Sequence, residues 1–436
     1  MKVRWNAFTV IEHIKGGFLL KNTETRGVLF LDNSSYKEIS RTINEKGEVE
    51  DELFDVLGGD NSILVQDDEN EVESFFKTFI STRDNGTKTF TLHLIPTVRC
   101  QLACPYCFEN GSNRKGVMKE SVVEQALKWL DGYFLEHELD RFKVVLFGGE
   151  PLLGKNIIKY SLPKFRTLAE RFGLEFCTEL VTNGELLTEN MALFFREYDW
   201  NRLQITLDGP KDVHNLIRCG RNGRPTFDSI LQNIRMVLEK GYISSVDVRV
   251  NYSCENSERI SELLDVLAKI GLQDKISLSF GMIMPTSENR FKLTQKFETK
   301  MAKSYLRFCS VAKELGFRIP REYSAGPWCV AVEKHSIVLQ PNGTMHKCIS
   351  TAGRNMFAFS DVFSSAFDYA KDDRFEQFER MEQCKKEKCP YLPICGAGCP
   401  WDAMVADDKL GFGVRSCRKR TIDIINRGLL RLNHSE

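Results

Sequence analysis

Between residues 89 and about 284, short apolar runs rich in β-branched residues alternate with longer segments in which apolar positions recur every three or four residues. The runs TFTLHLIPT, FKVVLFGGE, LEFCTELVTN, NRLQITLDG, SVDVRVNYS and KISLSFGMIM read as strands. SVVEQALKWLDGYFLE, TFDSILQNIRMVLEKG and SERISELLDVLAKIG between them read as amphipathic helices. Strands joined by crossover helices imply an α/β fold with a parallel sheet. Six such repeats curl into a partial (β/α)6, TIM-like barrel, with functional loops at the C-terminal strand ends. A long helix, KLTQKFETKMAKSYLRFCSVAKELGF, bridges to a third region of short elements and turns.

The first 88 residues follow another pattern. GFLLKNTETRGVLFLD reads as a hairpin, NSSYKEISRTINE and EDELFDVLG as helices, SILVQ as a short strand and DENEVESFFKTFIST as a third helix. This order suits a small winged-helix-like unit, with DNGTK at 84–88 as its linker. Three domains are therefore expected, over residues 1–88, 89–317 and 318–436.

Composition narrows the function. The 436 residues carry 60 basic and 60 acidic side chains, which argues against a nucleic-acid-binding domain held by a broad basic field. No uncharged apolar run approaches the ~18 residues of a membrane span. Asn6 and Glu12 interrupt the N-terminal segment, so no signal peptide is expected and the chain reads as cytoplasmic. In that compartment 14 cysteines point away from disulfides and toward metal or cluster ligation. Cys177, Cys219, Cys254 and Cys309 stand singly and read as packing residues.

Cys100, Cys104 and Cys107 follow the first barrel strand in a C-x3-C-x2-C pattern. Three soft thiolates so close together can ligate three irons of an iron–sulfur cube and leave the fourth open for chemistry. Zinc is the competing reading, but it usually takes four ligands in C-x2-C pairs, and no fourth ligand lies nearby in sequence. Gly148-Gly149-Glu150-Pro151 ends the second strand, where glycines permit close backbone approach and a glutamate can accept from an ammonium. Tight-turn packing is the plainer explanation of that segment.

With these residues in place the chain resembles the radical S-adenosylmethionine (SAM) enzymes. The resemblance implies that the open iron chelates SAM, whose reductive cleavage yields a 5′-deoxyadenosyl radical that abstracts hydrogen from substrate. It places Tyr106 beside the adenine and the Gly148–Pro151 segment against the SAM amino group. Thr182-Asn183-Gly184 and Thr206-x-Asp208-Gly209-Pro210, with His214 and Arg218, would lie near the ribose and carboxylate, against a turn-capping and salt-bridge role. Arg249 and Asn251 point the same way.

After the barrel come Cys329-x13-Gly343-x4-Cys348, then Cys384, Cys389, Cys395 and Cys399 as C-x4-C-x5-C-x3-C, then Cys417 after a 17-residue gap. Seven thiolates fall one short of two four-cysteine sites. Two clusters, one with an open or non-cysteine position, is the economical reading, with paired zinc ribbons as the alternative. The arrangement is similar to the SPASM domain of peptide-modifying radical SAM enzymes, although Lys386 stands where that family usually has a cysteine. Carried across by position, Cys384, Cys389, Cys395 and Cys417 would close one cluster. Cys329, Cys348 and Cys399 would hold the other, which is expected to keep an open coordination site where a substrate cysteine can bind, unless Cys309, Glu333 or His335 supplies a fourth ligand. Three [4Fe–4S] clusters are expected in all.

The N-terminal unit resembles leader-recognition domains of maturases acting on ribosomally made peptides, which bind a leader as an added strand. The implied function is a peptide maturase that forms a cross-link, foremost a thioether. Its expected partners are a precursor peptide with its leader and a reductant such as flavodoxin or ferredoxin, without nucleic acid or membrane. Carbon–carbon or carbon–oxygen cross-linking, or another peptide oxidation, is the alternative. A sulfatase maturase is disfavoured because Ile349 replaces that group's aspartate after the Gly-x4-Cys cysteine, and because such enzymes generally lack the N-terminal unit. From another class, a non-catalytic iron–sulfur electron carrier or zinc-stapled scaffold is disfavoured by the Gly148–Pro151 segment.

Overall fold

The structure, a computed structural model, describes residues 1–109, 116–283, 295–324, 329–364, 378–402 and 417–434. In the N-terminal unit β1 (Val3–Trp5) pairs antiparallel with β5 (Leu64–Gln66). β2 (Thr9–Ile14), β3 (Gly17–Asn22) and β4 (Val28–Asp32) form an antiparallel meander. The expected hairpin is β3–β4, whereas β1 and β2 fall in a stretch the sequence pattern left unassigned. α1 (Asn33–Lys46) starts where Asp32 accepts the amide N–H groups of Ser34 and Ser35, and stops at Gly47, whose φ of 63° suits glycine. α2 (Asp51–Leu57) and α3 (Glu71–Asn85) complete the unit. α3 consumes the first two residues of the expected linker, because its helical hydrogen bonding continues to the cap at Gly86.

Six parallel strands follow in spatial order as in sequence: β6 (Thr89–Leu94), β7 (Arg141–Leu146), β8 (Glu175–Thr182), β9 (Trp200–Thr206), β10 (Val246–Tyr252) and β11 (Ile276–Met282). The crossovers carry α4 (Glu120–Glu136), α5 (Lys155–Arg171), α6 (Glu189–Arg196), α7 (Lys211–Ile217), α8 (Phe227–Glu239) and α9 (Ile260–Lys269). Their apolar faces and the strands make one continuous core. α10 (Gln295–Glu314) is the bridging helix; the first three residues of the expected run, 292–294, lie outside the described residues.

The C-terminal region does not stand apart. β12 (Ser336–Leu339) pairs parallel with β6, and β13 (Thr344–His346) and β14 (Ser360–Asp361) extend the same sheet antiparallel. All four residues of β12 are buried, so this short run has no alternation to reveal a strand. α11 (Phe378–Lys386), α12 (Leu392–Cys395) and α13 (Lys419–His434) follow. Gly428 lets α13 approach α10 closely: a Cβ there would lie 2.3 Å from Leu306 Cδ1. The N-terminal unit rests on this region, with Val10 among Tyr391, Ile394 and Ile422, and Glu12 paired with Arg427 and Arg431. Among the described residues no helix is long and apolar enough to cross a membrane.

Candidate radical-chemistry site

The cysteine loop leaves β6 at the C-terminal end of the sheet, and neighbouring strand ends hold it by main-chain bonds. Gly149 N–H donates to the Thr97 carbonyl at 3.2 Å and Glu150 N–H to the Arg99 carbonyl at 2.8 Å. A Cβ on Gly149 would sit 2.4 Å from Arg99 O, and one on Gly148 2.6 Å from Thr97 O, where φ is also 130°. The two glycines therefore bring the end of β7 against the segment entering Cys100. On the other side Ala103 N–H bonds the Cys219 carbonyl at 3.0 Å, Arg221 N–H the Gln101 carbonyl at 2.9 Å, and Arg221 Nε the Cys100 carbonyl at 2.9 Å. The Asn183 side-chain amide reaches Cys100 Sγ at 3.9 Å. Gln101 Nε2 donates to Asn183 Oδ1 and, at 3.0 Å, to Glu185.

Glu150 is wholly buried and braces the strand ends. Its carboxylate accepts from Leu152 N–H at 3.0 Å, Thr182 Oγ1 at 2.7 Å and Asn183 N–H at 2.8 Å. Burial raises its pKa against the pull of these bonds. Three of about four acceptor positions are thus taken within the chain. Pro151 begins the turn of 3-10 helix that Glu150 caps.

Tyr106, Asp208, Arg218 and Asn251 form one network. The Tyr106 hydroxyl bonds Asp208, and it accepts from Arg218 Nη1 at 2.5 Å and Asn251 Nδ2 at 3.2 Å. Asn251 N–H donates to Asp208 Oδ1 at 2.7 Å, and Arg218 Nη1 lies 3.5 Å from Asp208 Oδ2. Burial raises the Asp208 pKa, opposed by the Arg218 guanidinium. Arg218 Nε, also buried, has no hydrogen-bond partner among the described residues. Thr206 lies at the mouth end of β9, opposite Arg249 on β10. Arg249 turns to Asn251 and Ser279. His214 is structural: Nδ1 accepts from Asp208 N–H at 3.2 Å, and Nε2 meets Thr226 Oγ1 at 3.1 Å. Burial lowers its pKa to about 3.

In the C-terminal region the seven cysteines separate into two groups. Cys329, Cys348 and Cys399 pack with Ala331, Phe357 and Trp401. Cys384, Cys389 and Cys395 pack with Tyr391, Ile394 and Ile422, and Cys417 interacts electrostatically with all three. Burial is the largest cause of the upward pKa shifts, to about 12 at Cys100, Cys348 and Cys395, with neighbouring thiols adding to it. Thiols crowded in this way gain most when a metal takes the place of their protons. The donor sets suit iron–sulfur cubes in sulfur softness and grouping. Among the described residues no three His, Cys, Asp or Glu side chains are spaced to share one metal ion. A cube distributes its thiolates over separate irons and does not need that spacing.

Two of the three suggested fourth ligands lie elsewhere. Cys309 is in the barrel core, and His335 Nδ1 is engaged by the Tyr133 hydroxyl at 2.6 Å. Glu333 does interact with Cys329, and Asp402, which the sequence pattern did not single out, interacts with both Cys348 and Cys399. Asn256 was also missed: it bonds the backbone of Asp208 and Asn251, and no motif marks it.

A six-stranded parallel partial barrel with three thiols on the loop after its first strand defines a radical SAM architecture. Residues 94–267 match the radical SAM superfamily. The chain is 30% identical to the cysteine-type anaerobic sulfatase-maturating enzyme of Clostridium perfringens over 328 residues, 69% of this chain and 85% of that one. It belongs to the radical SAM superfamily and is related to these sulfatase maturases. The match to the serine-type anaerobic sulfatase-maturating enzyme of Bacteroides thetaiotaomicron is 30% over 149 residues, spanning only 34% of that enzyme. Among solved structures, anSMEcpe with bound AdoMet and Kp18Cys peptide aligns with a TM-score of 0.62 at 19% identity, over 79% of this chain and 98% of that one. Streptococcus suis SuiB bound to S-adenosylmethionine aligns with a TM-score of 0.52 at 15% identity, over 95% and 99%. These two likenesses concern the fold.

Proposed function

We propose that this protein is a peptide-modifying radical SAM enzyme with a SPASM-type C-terminal region, acting on a ribosomally made precursor whose leader is captured by residues 1–88. The product would be an intramolecular cross-link, foremost a thioether. The observation that carries this reading is the pair of thiol groups in the C-terminal region, one of them tied to the first cysteine loop through Arg354 and Trp401. The peptide in the anSMEcpe complex supports a peptide substrate. Alignment with SuiB covers 95% of this chain against 79% for anSMEcpe, which supports a maturase with an additional domain.

Cys100, Cys104 and Cys107 would hold the SAM-binding cluster. Cys329, Cys348 and Cys399 would hold a second, and Cys384, Cys389, Cys395 and Cys417 a third. When bound, cluster and SAM supply one-electron cleavage chemistry that removes a hydrogen atom from a substrate carbon. The chain's own contribution is placement. Gly148 and Gly149 hold the cysteine loop against β7, and Glu150 ties β7 to β8 at the same level. The remaining Glu150 acceptor position is the one that would meet the SAM amino group. Arg218 Nε, buried without a partner among the described residues, is a donor suited to a carboxylate. Tyr106 is held by Asp208 and Asn251, so its ring can present a fixed face.

A sulfatase-type oxidation of one side chain is the second reading, favoured by the identity to the C. perfringens enzyme. Ile349 after Cys348 argues against it, because an isoleucine cannot serve as a base. Anaerobic incubation of reconstituted protein with SAM, reductant and the precursor peptide encoded beside its gene separates the two. A product lighter by two hydrogens with a cysteine protected from alkylation is expected. A two-hydrogen loss with every thiol still alkylatable would replace the thioether with a carbon-centred cross-link or side-chain oxidation. No 5′-deoxyadenosine and no iron would leave a zinc-stapled scaffold.

A further inference from the structure

Arg380 is the third residue of α11, one turn before Cys384 and on the same face of the helix. Its side chain is 7% exposed, and its Nη1 has no hydrogen-bond partner among the described residues. Among the described residues no carboxylate is one of the groups whose fields dominate at Arg380. Those groups are thiols: Cys395, Cys384, Cys399 and Cys417, in decreasing order. Cys384 and Cys395 in turn feel the guanidinium. Three of the four thiols belong to one group and Cys399 to the other, so the cation acts on both. Burying a guanidinium without a carboxylate is costly unless another anion compensates. Guanidinium keeps its proton in proteins, so the charge is permanent.

We propose that Arg380 is a positioning residue for the centres held by these cysteines, and that its cation favours their more negative, reduced form. The electron affinity of the centre on Cys384, Cys389, Cys395 and Cys417 is thereby raised, and that of the centre on Cys399 to a smaller degree. This rests on the reading above that the C-terminal cysteines hold iron–sulfur clusters. Hydrogen bonds and charge near the sulfurs are among the levers that set cluster potentials. An electron leaving the substrate side would then meet a site already biased to accept it.

The test uses the full chain, reconstituted anaerobically, as wild type, Arg380→Gln and Arg380→Lys. Iron content is measured with the reduction potentials of the auxiliary centres, followed by electron paramagnetic resonance during titration. The expected result is about 12 iron per chain in all three. One auxiliary potential should fall in Arg380→Gln by the equivalent of tenfold weaker electron affinity, about 59 mV for one electron. Arg380→Lys should recover most of that shift. Iron lost from Arg380→Gln but kept by Arg380→Lys would also support a role for the charge. An unmoved potential in Arg380→Gln with iron retained would overturn the proposal, as would equal iron loss from both variants, which would make shape the requirement. About four iron in the wild type would instead remove the cluster assignment itself, and with it the role of Arg380.

Discussion

Arg354 Nη2 donates to the Phe108 carbonyl at 2.9 Å across 246 residues of sequence, joining the C-terminal region to the residue after Cys107. The same guanidinium lies 5.6 Å from the centre of the Trp401 ring, which packs against Cys329, Cys348 and Cys399. One side chain therefore connects the loop at the barrel mouth to the nearer thiol group.

Arg354→Ala removes both contacts. A hydrogen bond from a charged donor is worth roughly 1.5–3 kcal/mol. The variant should unfold at lower urea by about that amount, and limited proteolysis should cut the C-terminal region sooner. Peptide turnover should fall more than substrate-free SAM cleavage, because the first cysteine loop keeps its bonds to β7 and to residues 219–221. Parallel assays of 5′-deoxyadenosine and peptide product measure the split.

Gly149→Ala places a methyl group against the Arg99 carbonyl, where no flexible side chain can yield. Overpacking of this kind costs about 1–3 kcal/mol. The cysteine loop must shift, so the variant should lose iron from the first site alone and cease to cleave SAM. Iron content near two-thirds of wild type, with the auxiliary spectra retained, is the expected outcome.

Glu150→Gln turns one acceptor oxygen into a donor facing the Thr182, Asn183 and Leu152 donors. An amide can satisfy at most part of this set, and each buried group left unpaired costs about 1–3 kcal/mol. Both thermal stability and SAM affinity should drop, the latter at least tenfold. Calorimetric titration with SAM under anaerobic conditions measures it.

His214 imposes a pH dependence. Its pKa is lowered by burial to about 3, whereas an unfolded histidine titrates near ~6.5. Below ~6.5 the unfolded chain takes up a proton that the folded chain does not, so stability falls as pH falls toward 3. Between pH 7.5 and 5 this one group contributes a loss of about 2 kcal/mol. His214→Gln should flatten the pH dependence of the urea midpoint over that interval by a similar amount. Its overall stability should be lower at pH 7.5, because the bond from Asp208 N–H is weakened.

The cysteines divide by consequence. Substituting Cys384 or Cys395 by alanine should change one auxiliary signal, and substituting Cys348 or Cys399 the other, since each pair packs in a separate cluster of side chains. Cys309→Ala should keep full iron and lose only the stability expected of a small cavity in the barrel core, about 1 kcal/mol.

The strands of the barrel were legible because β-branched runs such as KVVL and VDVRV punctuate amphipathic helices of the right length. β12 was not, since a four-residue buried run has no period and its pairing with β6 joins residues more than 240 apart. The glycines and Glu150 were also visible as a motif. That the glycines seat the cysteine loop, and that Glu150 spends most of its acceptors on β8, depends on which strand ends meet. Arg354, Arg380 and Asp402 left no signal, because a charged residue in a polar stretch looks solvated until its neighbours are known.

The local sequence alone determined the alternating partial barrel, the three cysteines on its first loop and the seven thiols that follow. Those features are carried by short-range periodicity and by spacings within a few tens of residues. Only the tertiary structure decided which suggested ligands are engaged elsewhere, that Arg354 reaches the first cysteine loop, and that the N-terminal unit rests on the C-terminal region. Those outcomes depend on contacts between residues hundreds of positions apart, which burial and chain packing select and no local pattern encodes.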